Sequence, residues 1–349
     1  MKACVEPGAL PPDFFAPVHR PLDAPPLLFV VVDTEEEFDW SGRFSREAVD
    51  VSAIDEVDLL QTVLARYRIT PTYVIDYPVA STPSSSQRLG ALAREGACHI
   101  GAHLHPWVNP PYTETLGARS SYACNLGMDL ELDKILRLKE AISEHVGVTP
   151  RVYKAGRYGF GPTSAQALEW LDFDVDVSVN PRMNFTSDGG PDFELLGPEP
   201  GLFGRRRPLL EVPCTTGFVG PARRIGLALH RAASARWLEP LHAVGMLARS
   251  GALNKVMLSP EGNTLQEMQA LTETLHRDGI RTFSLTFHSP SLKPGGTHYV
   301  PTRADRDRFL STIDKYCEFF CGRLGGVPST PAALCDELQK ALRSLPLTS

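Results

Sequence analysis

Short apolar, β-branched runs alternate with longer segments of helical period along most of this chain, and that alternation constrains the fold more than any other feature. The runs Leu27–Val32, Thr72–Ile75, Cys98–Ala102, Arg151–Ala155, Phe173–Val179, Leu209–Pro213, Lys255–Leu258 and Thr282–Phe287 read as strands. Strands buried on both faces are nearly continuous in apolar character, and strands separated by helices pair in parallel. Leu130, Ile135, Leu138, Ile142 and Val146 recur mostly at three- and four-residue steps, the stripe of a helix lying on a sheet. Helix starts are signalled where Thr163 precedes Gln166, Asn263 precedes Gln266 and Thr302 precedes Asp305, because a short polar side chain accepts from orphan first-turn amides. The pattern predicts an α/β protein, a deformed (β/α)7-8 barrel in a single domain with loop insertions. Residues 1–26 read as a Pro-rich arm, 27–325 as the barrel and 326–349 as a C-terminal helical extension. The Gly-, Pro- and Asp-rich stretch from Asn180 to Pro208 reads as an insertion able to fold over the end of the sheet.

Composition removes several classes of function. A chain of 349 residues that is 42% hydrophobic can bury a core of normal size. Its net charge of -6 offers no footprint for a polyanion, so nucleic acid is not an expected partner. The dense basic run Arg205, Arg206 and Arg207 sits in a Pro/Gly-rich stretch and reads as a solvated loop. The seven cysteines, Cys4, Cys98, Cys124, Cys214, Cys317, Cys321 and Cys335, form no CxxC pair and suit a reducing compartment. Met1 to Pro25 lacks the apolar core of a secretory signal, and no apolar run is long enough to span a bilayer, so the expectation is a cytoplasmic protein. Its oligomeric state is not legible.

The chemistry is signalled by position. The first predicted strand runs into Asp33, Thr34 and Glu35, and the third into His103, Leu104 and His105. Others lead to Arg157, to Asp176 and Ser178, and to His288. In a β/α barrel these C-terminal ends converge on one face, so residues distant in sequence can share a site. Two imidazoles and a carboxylate can hold a divalent ion with positions left open for water and a carbonyl oxygen. A second carboxylate can then take a proton, a histidine can protonate a leaving amine, and an arginine can orient the base. Taken alone, an acidic loop such as Glu35 to Glu37 is usually solvated and a lone His288 usually structural; their joint occurrence at successive strand ends favours a site. Trp40, Trp107, Tyr112 and Tyr122 lie just beyond strand ends, where aromatic rings can stack on a sugar or pack the rim.

These segments resemble the polysaccharide deacetylase family, the NodB-homology fold of carbohydrate esterase family 4, and look closest to its WalW-like branch. VVDTEEEFDW is similar to the family's first motif, HIGAHLHPW to its metal-histidine motif, and YKAGRYG to its arginine motif. VDVSVNP resembles its Asp-Ser motif and LTFHSPSL its final histidine motif, all in the family's order from about Leu27 to Tyr299. The resemblance implies a deformed barrel holding a divalent metal ion, often zinc, whose water attacks an N-acetyl carbonyl. Carried over, His103 and His105 are metal ligands, Asp33 the base, Arg157 its orienting partner and His288 the acid, with Asp176 also catalytic. Two departures stand out: Asp33-Thr34-Glu35 replaces an adjacent Asp-Asp pair, and the two histidines lie closer in sequence than usual. Either Glu35 binds metal with Asp33 as base, or the two exchange roles.

The function expected on these grounds is removal of an N- or O-acetyl group from a carbohydrate or glycan precursor. An allantoinase-like or other amide hydrolase acting on a small molecule is the runner-up, and a non-catalytic glycan-binding barrel is a third reading. An amidohydrolase-superfamily site also uses a His-x-His pair, but after the first strand; here an acidic motif precedes the pair by about seventy residues. A non-haem iron oxygenase shares the donor set but fits the separate βα units poorly.

Overall fold

Alternation along each strand decides which side chains face the inside of the barrel, and the first long strand sets the pattern. Leu28, Val30 and Val32 pack outward against the helices, whereas Leu27, Phe29 and Val31 fill the interior. The computed structural model describes residues 10–11, 13–38, 42–234 and 243–344. Its strands are β1 (Ala16–Pro17), β2 (Leu27–Thr34), β3 (Thr72–Ile75), β4 (His99–Leu104), β5 (Val152–Ala155), β6 (Val175–Asp176), β7 (Gly201–Phe203), β8 (Leu209–Glu211), β9 (Thr216–Val219), β10 (Asn254–Met257), β11 (Thr282–His288) and β12 (Val327–Pro328). Its helices are α1 (Val57–Ala65), α2 (Tyr77–Ser81), α3 (Pro83–Arg94), α4 (Met128–Ala141), α5 (Pro162–Trp170), α6 (Gly226–Ala233), α7 (Ala243–Arg249), α8 (Leu265–Arg277), α9 (Arg303–Glu318) and α10 (Pro331–Ser344).

The main sheet runs in the order β1-β7-β8-β6-β5-β4-β3-β2-β11, a curled half-barrel, with β12 also pairing with β2. From β8 through β6, β5, β4, β3 and β2 to β11 every pairing is parallel. The insertion after Asn180 contributes β7, which pairs antiparallel with β8 and with β1 of the N-terminal arm. Phe14 and Phe15 of that arm pack against Phe160 and Phe203. At the opposite end, Leu334 and Cys335 of α10 close the interior beneath Leu27, Phe29 and Val31.

The sheet does not close by a regular ladder. Lys255–Leu258, expected as a barrel strand, lies largely in β10, which pairs antiparallel with β9 in a separate two-stranded ribbon. The ribbon bridges the open seam through single hydrogen bonds from Cys214 N to Val179 O (2.8 Å), Leu258 N to Thr215 O (2.8 Å) and Thr286 N to Leu258 O (3.1 Å). β9 carries glycine at 217 and has too little apolar character to announce itself. The expected strand Phe173–Val179 shrinks to β6, because the Asp176 carboxylate accepts from Ser178 N (3.1 Å) and Ser178 Oγ (2.6 Å), a local alternative to the ladder.

Helix starts differ by small steps from expectation. Thr302 caps α9, its Oγ1 accepting from Asp305 N at 3.3 Å. The α8 cap falls on Thr264, one residue after Asn263, with Glu267 completing the capping box. α5 begins at Pro162 after Gly161, so Thr163 lies inside its first turn; proline at the first helical position sets the start there. The apolar stripe on α4 and the turn after it buries Ile135, Leu138, Ile142 and Val146, while Leu130 is half-buried.

Candidate metal centre and active site

The same alternation carries the site. On β2 the inward parity of Leu27, Phe29 and Val31 continues to Asp33 and then Glu35. On β4, Ile100, Ala102 and Leu104 pack outward, leaving His103 inward and His105 just beyond. β5 turns Lys154 inward with Val152, and β11 turns Thr286 and His288 inward while Phe283, Leu285 and Phe287 pack outward. These residues meet at the C-terminal mouth in a cavity of about 780 Å3, lined by Asp33, Glu35, His103, His105, Lys154, Arg157 and His288 among others. Asp176 is on the opposite parity. Its strand partner in register is Glu211, and it is buried on the helix side of the sheet, away from the cavity lining.

Glu35 is the carboxylate that both imidazoles face: its Oε2 lies 3.3 Å from His103 Nε2 and 3.3 Å from His105 Nε2. The other ring nitrogens are occupied. His103 Nδ1 lies 3.2 Å from the Lys154 carbonyl, and His105 Nδ1 lies 2.7 Å from Glu36 Oε2. Those acceptors hold a proton on each Nδ1, so that once the Nε2 protons are displaced by a cation both Nε2 lone pairs are directed at one point. Glu36 is itself fixed by Trp107 Nε1 (2.8 Å), and its backbone N donates to Asp76 (2.8 Å); the Trp107 ring stacks on His105 with centroids 4.3 Å apart. Burial opposes charge on Glu35, but His288, His105 and His103 outweigh it and hold the carboxyl well below its usual range.

The three groups fit a divalent ion of the zinc type. A tetrahedral ion with ligands at about 2.0–2.2 Å holds adjacent ligand atoms roughly 3.3–3.6 Å apart, and the two Glu35–histidine separations are each 3.3 Å. One carboxylate oxygen and two neutral imidazoles are a donor set that leaves further positions open.

Asp33 lies beside this cluster, with Oδ1 2.7 Å from Lys154 Nζ and Oδ2 3.7 Å from His288 Nε2. His288 Nδ1 lies 2.7 Å from Glu261 Oε2, and Glu261 also accepts from His288 N (3.1 Å) and Ser291 Oγ (2.5 Å). Burial by itself lowers the His288 pKa, but the carboxylates of Glu261, Glu35 and Asp33 push it up to about 10. Arg157, the residue expected to orient Asp33, instead bonds Ser121 Oγ (2.6 Å) and Asp188 and stacks over the Tyr122 ring (4.2 Å). Consecutive left-handed backbone conformations at Arg157 (φ 55°) and Tyr158 (φ 60°) direct that turn across the mouth, a strained geometry of the kind found at functional sites. The cation on Asp33 is Lys154.

The structure thus brings Asp33, Glu35, His103, His105 and His288 together, keeps Arg157 on the cavity wall and leaves Asp176 out. Lys154, Glu36 and Glu261 were not singled out from the sequence. Inward parity on β5 was a usable signal for Lys154, whereas Glu261 lies in an irregular loop with no periodicity to mark it. Of the aromatic candidates, Tyr122 lines the cavity, Trp107 lies beneath His105 and Tyr112 stands over the Lys134 ammonium; Trp40 lies outside the described residues.

The half-barrel has the fold of the polysaccharide deacetylases of carbohydrate esterase family 4. The chain is similar over 96% of its length, and 96% of the other chain, to the crystal structure of a Mycobacterium smegmatis protein provisionally designated a polysaccharide deacetylase, with a TM-score of 0.52 and 15% identity. It is more distantly similar to a peptidoglycan N-acetylglucosamine deacetylase (TM-score 0.42, 11% identity, 91% of each chain). A family 4 carbohydrate esterase from Streptomyces lividans also matches, with a TM-score of 0.37 and 11% identity over 87% of this chain and 91% of that one. No protein-family model matches the chain, and no curated protein does. Among the described residues, no helix is long and apolar enough to cross a membrane.

Proposed function

We propose that this protein is a metal-dependent hydrolase that removes an acetyl group from a carbohydrate or glycan precursor, in the manner of the WalW-like deacetylases its motifs resemble. The observation that carries the reading is the convergence of His103 Nε2 and His105 Nε2 on Glu35 Oε2, with Asp33 and His288 on the same mouth. Glu35, His103 and His105 would hold the ion. A divalent ion there supplies a Lewis acid for a substrate carbonyl and lowers the pKa of a coordinated water.

The remaining steps belong to the chain. Asp33 accepts the proton of the attacking nucleophile, and the Lys154 ammonium at 2.7 Å fixes which oxygen is free to do so. His288 is held doubly protonated, its Nδ1–H donating to Glu261, so the Nε2–H on the cavity side is the proton it delivers to the leaving nitrogen or oxygen. Glu261 is a positioning residue, acting through the imidazole. Tyr122, Tyr158 and Phe185 line the same cavity and offer apolar faces for sugar rings.

Acetate release from N-acetylated oligosaccharides, measured on the purified protein with and without a chelator, tests this function. Release that stops on chelation and returns with added zinc is expected. Release indifferent to the chelator contradicts it.

A further inference from the structure

A second cavity, of about 290 Å3, lies against β9 and is lined by Arg182, Thr216, Phe218, Arg223, Arg224 and Asp278 among others. It is close to the main site. Tyr158, which lines the large cavity, has its hydroxyl 3.9 Å from Met257 Sδ, and Met257 pairs in register with Thr216.

The charges in its wall do not balance. Three guanidinium groups face one carboxylate, and Asp278 is already committed to Arg223, whose Nη2 lies 3.0 Å from Oδ1. Among the described residues neither Arg182 nor Arg224 forms an ion pair; Arg182 donates only to the Glu194 carbonyl, at 3.1 Å. Arg182 is half-buried and held in a left-handed conformation (φ 64°), its N–H bonded to Phe193 O at 3.0 Å. Burial lowers the pKa of Arg182 and of Lys255, whose ammonium lies 3.4 Å from the Arg182 carbonyl. Glu199 acts on Arg182 only through space. Withdrawing a guanidinium from water without a counter-charge is costly, and a rigid backbone that nevertheless holds it there points to a ligand that supplies the charge.

We propose that this cavity binds a phosphate group, with Arg182 and Arg224 as its principal donors and Arg223 at its edge. Two uncompensated positive charges match a dianion better than a carboxylate, and the planar guanidinium fork suits a tetrahedral oxyanion. The site is separate from the metal centre, sharing no lining residue with the catalytic cavity.

Calorimetric titration of the full-length protein with inorganic phosphate, at ionic strength held constant with sodium chloride, tests the assignment. Saturable binding of one phosphate per chain is expected. Arg224→Ala, an exposed residue with no ion pair to lose, should weaken it by about tenfold, the scale of one charge-assisted hydrogen bond. Arg182→Met should abolish it, and His103→Ala should leave it intact. Absence of saturable binding, equal affinity in Arg224→Ala and the parent, or loss in His103→Ala alone, which would place the phosphate at the metal centre, would overturn the proposal.

Discussion

His288 owes its chemistry to three carboxylates, and Glu261 is the one that can be altered without touching the proposed ion or base. The imidazole pKa is about 10 in the fold against an ordinary 6.5, so the acid stays protonated as pH climbs and fails only as pH passes the raised value. The linked stability has the same sign: it is fully present below about 6.5 and is lost as pH rises through about 10. Glu261→Gln keeps the acceptor on Nδ1 and removes the charge. The basic limb of the kcat/KM profile for acetate release should therefore move to lower pH while the acidic limb stays in place. A basic limb that does not move would assign the proton to another group. At this scale the sequence was partly legible. Asp33, Glu35, His103, His105 and His288 follow strands whose apolar runs are plain, but Lys154 goes unnoticed inside a buried strand, and the motif resemblance gives the orienting role to Arg157.

Strand parity explains what was legible among the elements and what was not. A two-residue period places Asp33, His103, Lys154 and His288 inward and, by the same rule, Asp176 outward, away from the cavity lining. β9 escapes because its glycine at 217 and short apolar stretch give no clear pattern, and Lys255–Leu258, legible as a strand, is assigned to the barrel because its antiparallel partner is not legible. Where β5 ends beside β4, the backbones approach so closely that only glycine fits: a Cβ on Gly156 would fall on the His105 ring and the Leu104 carbonyl. Gly156→Ala should push His105 off the point it shares with His103 and weaken zinc affinity by roughly 10–100-fold, the usual effect of disturbing the support of a ligand. Competition titration against a chromophoric chelator measures this. Affinity equal to that of the parent would show that the ring need not hold its place.

At the scale of the whole molecule, four strands between Leu27 and His288, β2, β4, β5 and β11, build one mouth because a parallel sheet delivers every strand's C-terminal end to the same face. The arm and the last helix extend the same sheet and core, with β1 on its edge and α10 under its interior. What the alternating sequence pattern conveyed was this directionality; it could not convey the irregular seam, which rests on isolated hydrogen bonds. The account stands on the claim that Glu35, His103 and His105 together hold one ion. The most direct measurement is metal content of the purified chain after zinc loading and exhaustive dialysis, for the parent, His103→Ala and His288→Ala. One zinc per chain in the parent and in His288→Ala, with none retained in His103→Ala, is predicted; no zinc in the parent, or equal zinc in all three, would contradict it.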